Sequence, residues 1–457
     1  MTTLDAQLDA IEGSITYGIS GQVAAISGLT IEATDLPLPV GATCEIDAGG
    51  TSTNRVRAEV IGFQGDRTLL MSLSNVSGVS RGDRIELLSS APRLWCSDHM
   101  LGRVINGLGE PIDGGPALRR SESRRIDGRA VAPLSRVNIR EPICTSVRSV
   151  DALHTCGRGQ RMGIFSGPGV GKSTLMSQIA RNTDADISVI ALIGERGREV
   201  QEFIEHSIGP GGLQRCVIIV STSDDTPLLK TRAAKVACTV SEYFRDRGQN
   251  VLLLMDSLTR LAQAQRQIGL AAREPPATKG FPPSVFALLP EIMERAGRTA
   301  VGSVTGFYTV LVEGDDFNEP IPDAVKGISD GHIWLSRNLA AKGHFPAIDV
   351  IQSISRVRSD VMPAERVKNA RRVLALLATY DEIADLVSIG AYVAGINAEH
   401  DLAVQGRPRV IDFLKQDPSQ PTTLASAGTQ LADLCNWLDQ MEKALAASKT
   451  VQAKQKR

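Results

Sequence analysis

The sequence predicts an α/β protein in three parts: a β-rich amino-terminal unit, a core of alternating strands and helices, and a helical carboxy-terminal unit. Three observations carry that reading. Short Val- and Ile-rich runs broken by Gly, Asp and Pro fill residues 20–90, the texture of a small barrel or sandwich. From about residue 93, apolar runs alternate with segments of helical periodicity, as in a largely parallel sheet covered by helices. After about 362 the strand-like runs stop and only helical spacing remains.

The β texture rests on Gly21–Ala33, Ala42–Ile46, Val56–Phe63, Thr68–Leu73 and Asp83–Leu88. The core strands are expected at Met162–Phe165, Ile187–Ile193, Val217–Val220, Val251–Met255 and Val301–Val312. Helices are expected over 364–395 and 423–446, where Val373, Leu374, Leu376 and Leu377 are followed by Ile383, Leu386 and Ile389. Leu4, Leu8 and Ile11 suggest a short amphipathic helix over 1–18, ahead of a β unit at 19–92, a core at 93–362 and a helical domain at 363–457.

Bulk properties narrow the class. A chain of 457 residues that is 42% hydrophobic can bury two or three cores. Its net charge of −1 favours neither a nucleic-acid coat nor an acidic tail. The seven cysteines are scattered with no C-x-x-C pair, which points to reduced thiols and away from a zinc site. The opening MTTLDAQLDAIEGS lacks the apolar core of a secretory leader, and no run of about 18 apolar residues could span a membrane. The basic end, Lys449 to Arg457, reads as a frayed terminus.

The chemistry begins after Met162-Gly163-Ile164-Phe165. That strand candidate runs into Ser166-Gly167-Pro168-Gly169-Val170-Gly171-Lys172-Ser173-Thr174 and then a helix carrying Leu175, Met176 and Ile179. Strand, glycine loop, Lys, hydroxyl and helix in that order make a phosphate-binding loop. The glycines let backbone N–H groups turn inward around phosphate oxygens, and the helix N-terminus adds positive partial charge. Lys172 is expected to reach the β- and γ-phosphates of ATP, and the Ser173 hydroxyl to bind Mg²⁺. Ser166 departs from the pattern, because its position normally holds Gly or Ala.

Binding alone does not hydrolyse. Asp256 ends the apolar run Val251–Met255, where ligands of open α/β sheets sit, and is expected to hold the metal from behind; the competing reading is a helix cap near Ser257. Glu195 follows the strand Ile187–Ile193 on the same sheet edge and is expected to polarise the attacking water. Glu199 is a poorer candidate, better explained as a first-turn acid complementing a helix dipole.

At this point the residues resemble a known family. GPGVGKST, ALIGERGREVQEFIE, LLLMDSLTRLAQAQRQI, EPPATKGFPPSVFALLPEIMERAG and FPAIDVIQSISRV follow in order, preceded by GLTIEATDLPLPVGATCEI and LGRVINGLGEPIDGG. Over roughly residues 20–440 the chain resembles the ATPases of type III protein export, flagellar and injectisome, themselves similar to the catalytic subunits of rotary ATP synthases. The resemblance implies a RecA-like P-loop core between a barrel and a helical domain, a homohexamer, and a location at the cytoplasmic face of the inner membrane. It implies a stator or regulator protein that meets residues 1–18, a central stalk protein, an export gate and substrate–chaperone complexes as partners, with peripheral membrane association a further possibility. Arg196 and Arg295 resemble arginines that hold the γ-phosphate and the acid, Phe345 an aromatic against adenine, and Arg356 the finger from a neighbouring subunit. Arg295 could instead pair with Glu294 or Glu291 on a helix face, and Phe345 could be core.

Carrying both Glu195 and Arg356, identical copies could complete every site in a ring. Within the family the GATCEI motif leans flagellar, while the FALLP run is also at home in injectisome sequences. A hexameric nucleic-acid translocase is the competing class. It wants stacking aromatics on its barrel, and residues 1–92 offer only Tyr17 and Phe63, so no nucleic-acid partner is expected. A rotary synthase subunit is disfavoured by GERGRE and PPSVFALLPEIMERAG, and a ring component that binds without hydrolysing would need Glu195 to be inert.

Overall fold

A computed structural model describes residues 18–50, 55–128, 130–312 and 319–455. The helix expected over 1–18 falls, but for Gly18, outside the described residues. Six strands close a barrel in the order β1-β2-β5-β4-β3-β6: β1 (Ser20–Ser27), β2 (Thr30–Thr34), β3 (Thr43–Asp47), β4 (Arg55–Gln64), β5 (Arg67–Ser72) and β6 (Arg84–Ser89). Alternation drives closure, since Val56, Ala58 and Val60 on β4 face the inside with Ile31, Cys44, Leu70 and Ile85. The run Gly21–Ala33 is two strands, because Gly28 takes a left-handed φ of 59° and turns the chain back.

Two short pairs lead into the core, β7 (Arg93–Cys96) with β9 (Glu122–Arg125) and β10 (Pro142–Ile143) with β11 (Cys156–Gly157). The remaining strands are β8 (Arg103–Asn106), β12 (Arg161–Ser166), β13 (Ile187–Glu195), β14 (Cys216–Thr222), β15 (Asn250–Asp256), β16 (Gly297–Arg298), β17 (Ser303–Leu311), β18 (Gly331–Leu335) and β19 (Ile348–Ser355). Their order is β19-β18-β12-β17-β15-β13-β14-β8, parallel from β18 to β8, with β19 antiparallel at one edge and β16 on β17. Central strands are buried on both faces, which is why they read as unbroken apolar runs.

The helices that cover and extend this sheet are α1 (Arg148–Leu153), α2 (Lys172–Asn182), α3 (Gly197–Glu202), α4 (Gly209–Leu213), α5 (Pro227–Arg245), α6 (Leu258–Ala271), α7 (Pro283–Met293), α8 (Pro320–Ile328), α9 (Arg337–Ala341) and α10 (Arg358–Val361). The barrel rests on α5 and α6, where Met71 and Leu73 pack with Leu228, Leu229 and Ile268.

The carboxy-terminal unit is α11 (Ala364–Ser388), α12 (Ala398–Leu414) and α13 (Leu424–Gln455). The helix expected over 364–395 therefore stops at Ser388, and the one expected over 423–446 continues through the basic tail to Gln455. Leu376, Val410 and Leu431 join Val150 and Leu153 of α1 in one apolar cluster, so the helical unit shares a core with the sheet.

Candidate active site

The phosphate loop leaves the carboxyl end of β12 at Ser166. Ser166 is fully buried, keeps an ordinary strand conformation and accepts the Val312 N–H at 3.0 Å. That bond is made by the Ser166 carbonyl; the hydroxyl Oγ is buried with no hydrogen-bond partner, so the serine fits sterically but stays the loop's irregularity. Gly169 and Gly171 take φ of 76° and 92°, where a side chain would be strained. A Cβ on Gly167 would lie 2.3 Å from Arg337 Nε, so the loop is closed over by the first residue of α9. Gly171 caps α2 and turns the free N–H groups of the helix's first turn toward the loop. Pro168 and Val170 complete the turn, with Val170 buried against the sheet and Pro168 outside.

Behind the loop three charged groups converge. Lys172 Nζ stands 2.5 Å from Asp256 Oδ1 and 3.7 Å from Glu195 Oε1. Asp256 is the last residue of β15, nearly buried, and accepts the Thr309 hydroxyl of β17 at 2.6 Å. The cap of α6 is Ser257, whose side chain accepts from Arg260 N, so the competing cap reading of Asp256 does not hold.

Glu195 is the final residue of β13, which runs two residues past the expected end at Ile193. The β13–β14 register slips between Ile193 and Glu195, where Gly194 has a φ of 74°. A Cβ there would lie 3.0 Å from Arg260, so glycine is needed both for the turn and for the close approach. The bulge aims Glu195 into the site. Burial, then the neighbouring Asp256 carboxylate, push its pKa up to about 7, against the pull of Lys172. Ser173, Thr174, Glu195, Glu199, Phe203 and Asp256 line a cavity of about 290 Å³. Glu199 is in the first turn of α3, as its dipole reading requires, yet also borders this cavity.

The other sequence candidates separate. Arg196 lies at the mouth, 80% exposed and 3.6 Å from Glu199. Phe345 is half-exposed, its ring carbons 3.8 Å from where a Gly171 Cβ would stand, so it flanks the loop and is not core. Arg295 must be corrected. It is 1% exposed and binds Glu242 at 2.6 and 2.8 Å, the carbonyl of Ile126 and the Thr239 hydroxyl. It also precedes β16, which pairs with the start of β17, the sheet edge opposite the phosphate loop. It therefore clamps α5 and cannot touch a γ-phosphate in its own subunit. Neither alternative from the sequence, Glu294 or Glu291, is its hydrogen-bonded partner. Arg295→Ala strands Glu242 in the interior, and denaturant unfolding is expected to show a loss of about 3–5 kcal/mol, with ATP affinity of the folded fraction unchanged.

Arg356 is exposed at the end of β19, and its N–H donates to Asp330 O at 2.9 Å. Because β19 runs antiparallel, this too is the edge away from the phosphate loop. Sequence reasoning missed Thr309, Arg260 and Arg337. Thr309 had a legible signal, a hydroxyl near the carboxyl end of an apolar strand; the two arginines had none.

The residues present suit a magnesium nucleotide: a left-handed glycine cradle, an ammonium held by two carboxylates, and a hydroxyl beside a buried aspartate at one cavity. Comparison with known proteins agrees. Residues 146–355 match the family described as ATP synthase alpha/beta family, nucleotide-binding domain; residues 23–88 match its beta-barrel domain, and 362–433 the T3SS EscN ATPase C-terminal domain. The flagellum-specific ATP synthase of Pseudomonas aeruginosa is 48% identical, covering 94% of this chain and 96% of its own length. The type 3 secretion system ATPase of Xanthomonas euvesicatoria is 47% identical over 93% and 95%. The structure of the assembled ATPase EscN from enteropathogenic E. coli superposes with a TM-score of 0.86 at 41% identity, covering 91% of this chain and 99% of that one. Fold, phosphate loop and kinship together place the chain among the ATP-hydrolysing enzymes of type III protein export, flagellar and injectisome, within the ATP synthase α/β family.

Proposed function

We propose that the chain is the flagellar member of this family, a homohexamer at the cytoplasmic face of the inner membrane that couples ATP hydrolysis to docking, release and unfolding of exported proteins. The single observation that supports a working hydrolase is Glu195: it is aimed by a bulge into the same cavity as Ser173 and Asp256, and a ring component that only binds nucleotide needs no such carboxylate. Ser173 and Asp256 would hold Mg²⁺, which when bound neutralises charge on the phosphates. Lys172 exchanges its contact with Asp256 for the β- and γ-phosphate oxygens, while Gly167–Thr174 supply backbone donors. Glu195 accepts the proton of the attacking water, with Arg196 at the mouth, and Phe345 stacks on adenine.

Relatives named for both systems match at nearly equal identity, with flagellar names the more numerous among the strongest matches. A relative solved with its central stalk supports a stalk partner here. The end of α11 and the turn to α12 expose Leu386, Ile389, Val393 and Ile396, a suitable apolar tip for it. Stator, export gate and chaperone-bound substrates complete the partner set on the family pattern, and the division at 18/19, 92/93 and 362/363 follows the same pattern. Among the described residues no helix is long and apolar enough to cross a membrane, so attachment would be peripheral. Replacing Lys172 by Ala at the chromosomal locus is expected to abolish filament export and swimming. Normal swimming with lost effector secretion would assign the chain to an injectisome instead.

A further inference from the structure

Gln416 follows α12, and its side chain is buried. Its backbone N–H donates to the Phe345 carbonyl at 2.9 Å, linking the helical domain to the loop that carries the half-exposed ring. Its side chain is wholly spent elsewhere. Oε1 accepts the Arg148 N–H at 2.7 Å; the two Nε2 hydrogens are shared among Gln420 O at 2.8 Å, Ser146 O at 2.9 Å and Thr422 Oγ1 at 3.1 Å.

Ser146 O is a shared acceptor. It also receives Gln178 Nε2 at 3.2 Å and the Thr422 N–H at 3.3 Å. Gln178 belongs to α2, six residues after Lys172 and so about 9 Å along the helix from the phosphate loop. Ser146 itself has a left-handed φ of 61°, a conformation that a non-glycine residue keeps only when its surroundings impose it. Arg148 fastens the other side, donating to Phe413 O at 2.6 Å and Gln430 Oε1 at 2.7 Å, with its guanidinium 5.4 Å from the Phe413 ring centre. Gln416 thus ties the loop beside the base position, through its backbone N–H, to the helix under the phosphates, through the Ser146 carbonyl that its side chain shares with Gln178.

We infer that Gln416 is a positioning residue for nucleotide binding: it fixes Phe345 relative to α2, so that the placement of the helical domain sets affinity for the base. The inference rests on the reading of Phe345 as the adenine contact. A buried network in which every polar group is satisfied has a single arrangement. Its loss leaves the phosphate contacts, Glu195 and the backbone N–H to Phe345 in place, but releases the side-chain bonds that fix that N–H relative to Ser146 and α2, so the Phe345 loop is no longer held in one position. The effect therefore belongs in KM more than in kcat.

The test is a double-mutant cycle on the full-length protein, measuring steady-state ATP hydrolysis for wild type, Gln416→Met, Phe345→Ala and the double variant. Gln416→Met is expected to raise KM for ATP about fivefold to tenfold with kcat changed less than about twofold. In the Phe345→Ala background the same substitution is expected to change KM by less than about twofold. An equal rise in both backgrounds, or none in either, overturns the inference while leaving the Phe345 reading intact. If Phe345→Ala alone leaves KM unchanged, the adenine reading fails and this inference with it. Should Gln416→Met melt below the assay temperature, Thr422→Val removes one acceptor of the same amide in a milder way. It is held to the same criterion, a KM rise that vanishes without Phe345.

Discussion

Replacing Glu195 by Gln is expected to lower ATP turnover by about 10²- to 10⁴-fold while nucleotide binding persists. The substitution keeps shape and size but removes a carboxyl that a bulge aims into the cavity and that is poised to take a proton near neutrality. Its partners would remain, since Lys172 still has Asp256 at 2.5 Å. Single-turnover hydrolysis separates this from a binding defect. Turnover within about tenfold of wild type would pass the role to Glu199 or to water alone.

The raised pKa of Glu195 gives the prediction a pH signature. Its value of about 7 against an ordinary 4.5 means that the free enzyme holds a protonated, non-basic carboxyl below neutrality. The kcat/KM for ATP is therefore expected to climb as pH rises through about 7, and E195Q is expected to lose that limb. The stability consequence has the opposite sense. The folded state binds this proton more tightly than the unfolded chain, so its stabilising contribution is complete below about 4.5 and fades as pH rises through about 7. A carboxylate kept at this edge for function is an expected cost of a working site.

The sequence made the phosphate loop and Asp256 legible because their signals are local: glycine spacing in one case, an acid ending an apolar run in the other. The apolar runs likewise located the central strands, which are buried on both faces. What remained hidden is set by contacts distant in sequence. Helix α12, which carries Gly406 and Pro408, lies between the helices expected at 364–395 and 423–446 and is not itself among those expected, yet a Cβ at Gly406 would lie 2.9 Å from Leu438 of α13. The glycine is there for close helix packing, and tertiary burial overrides its poor propensity. The edge strand β19 and its neighbour β18 carry polar interruptions (Asp349, Gln352 and Ser353 in one, His332 in the other), so periodicity gave them no voice. Arg295 misled for a related reason. Its motif names a position in the chain, but only the fold reveals that this position opens on Glu242 and not on the phosphate loop.

Arg356→Ala is expected to reduce turnover by about 10³-fold, and activity is expected to return when these subunits are mixed with E195Q subunits. The geometry requires the second half of that statement. Ser355 pairs with Gly331, and Gly331 lies level with Met162 at the start of β12. The phosphate loop begins after Ser166, four strand residues further, or about 13 Å along the sheet. An arginine on that edge cannot serve its own loop, but in a head-to-tail ring every subunit presents one edge to its neighbour. A subunit with intact Glu195 can then borrow Arg356 from an E195Q neighbour. In an evenly mixed ring about a quarter of interfaces carry both intact groups. Neither parent protein has any such interface. Mixtures that stay as inactive as their parents, under conditions where the wild type assembles, would show that Arg356 completes no neighbour's site. A dilute monomer as active as the ring would show that no neighbour is needed.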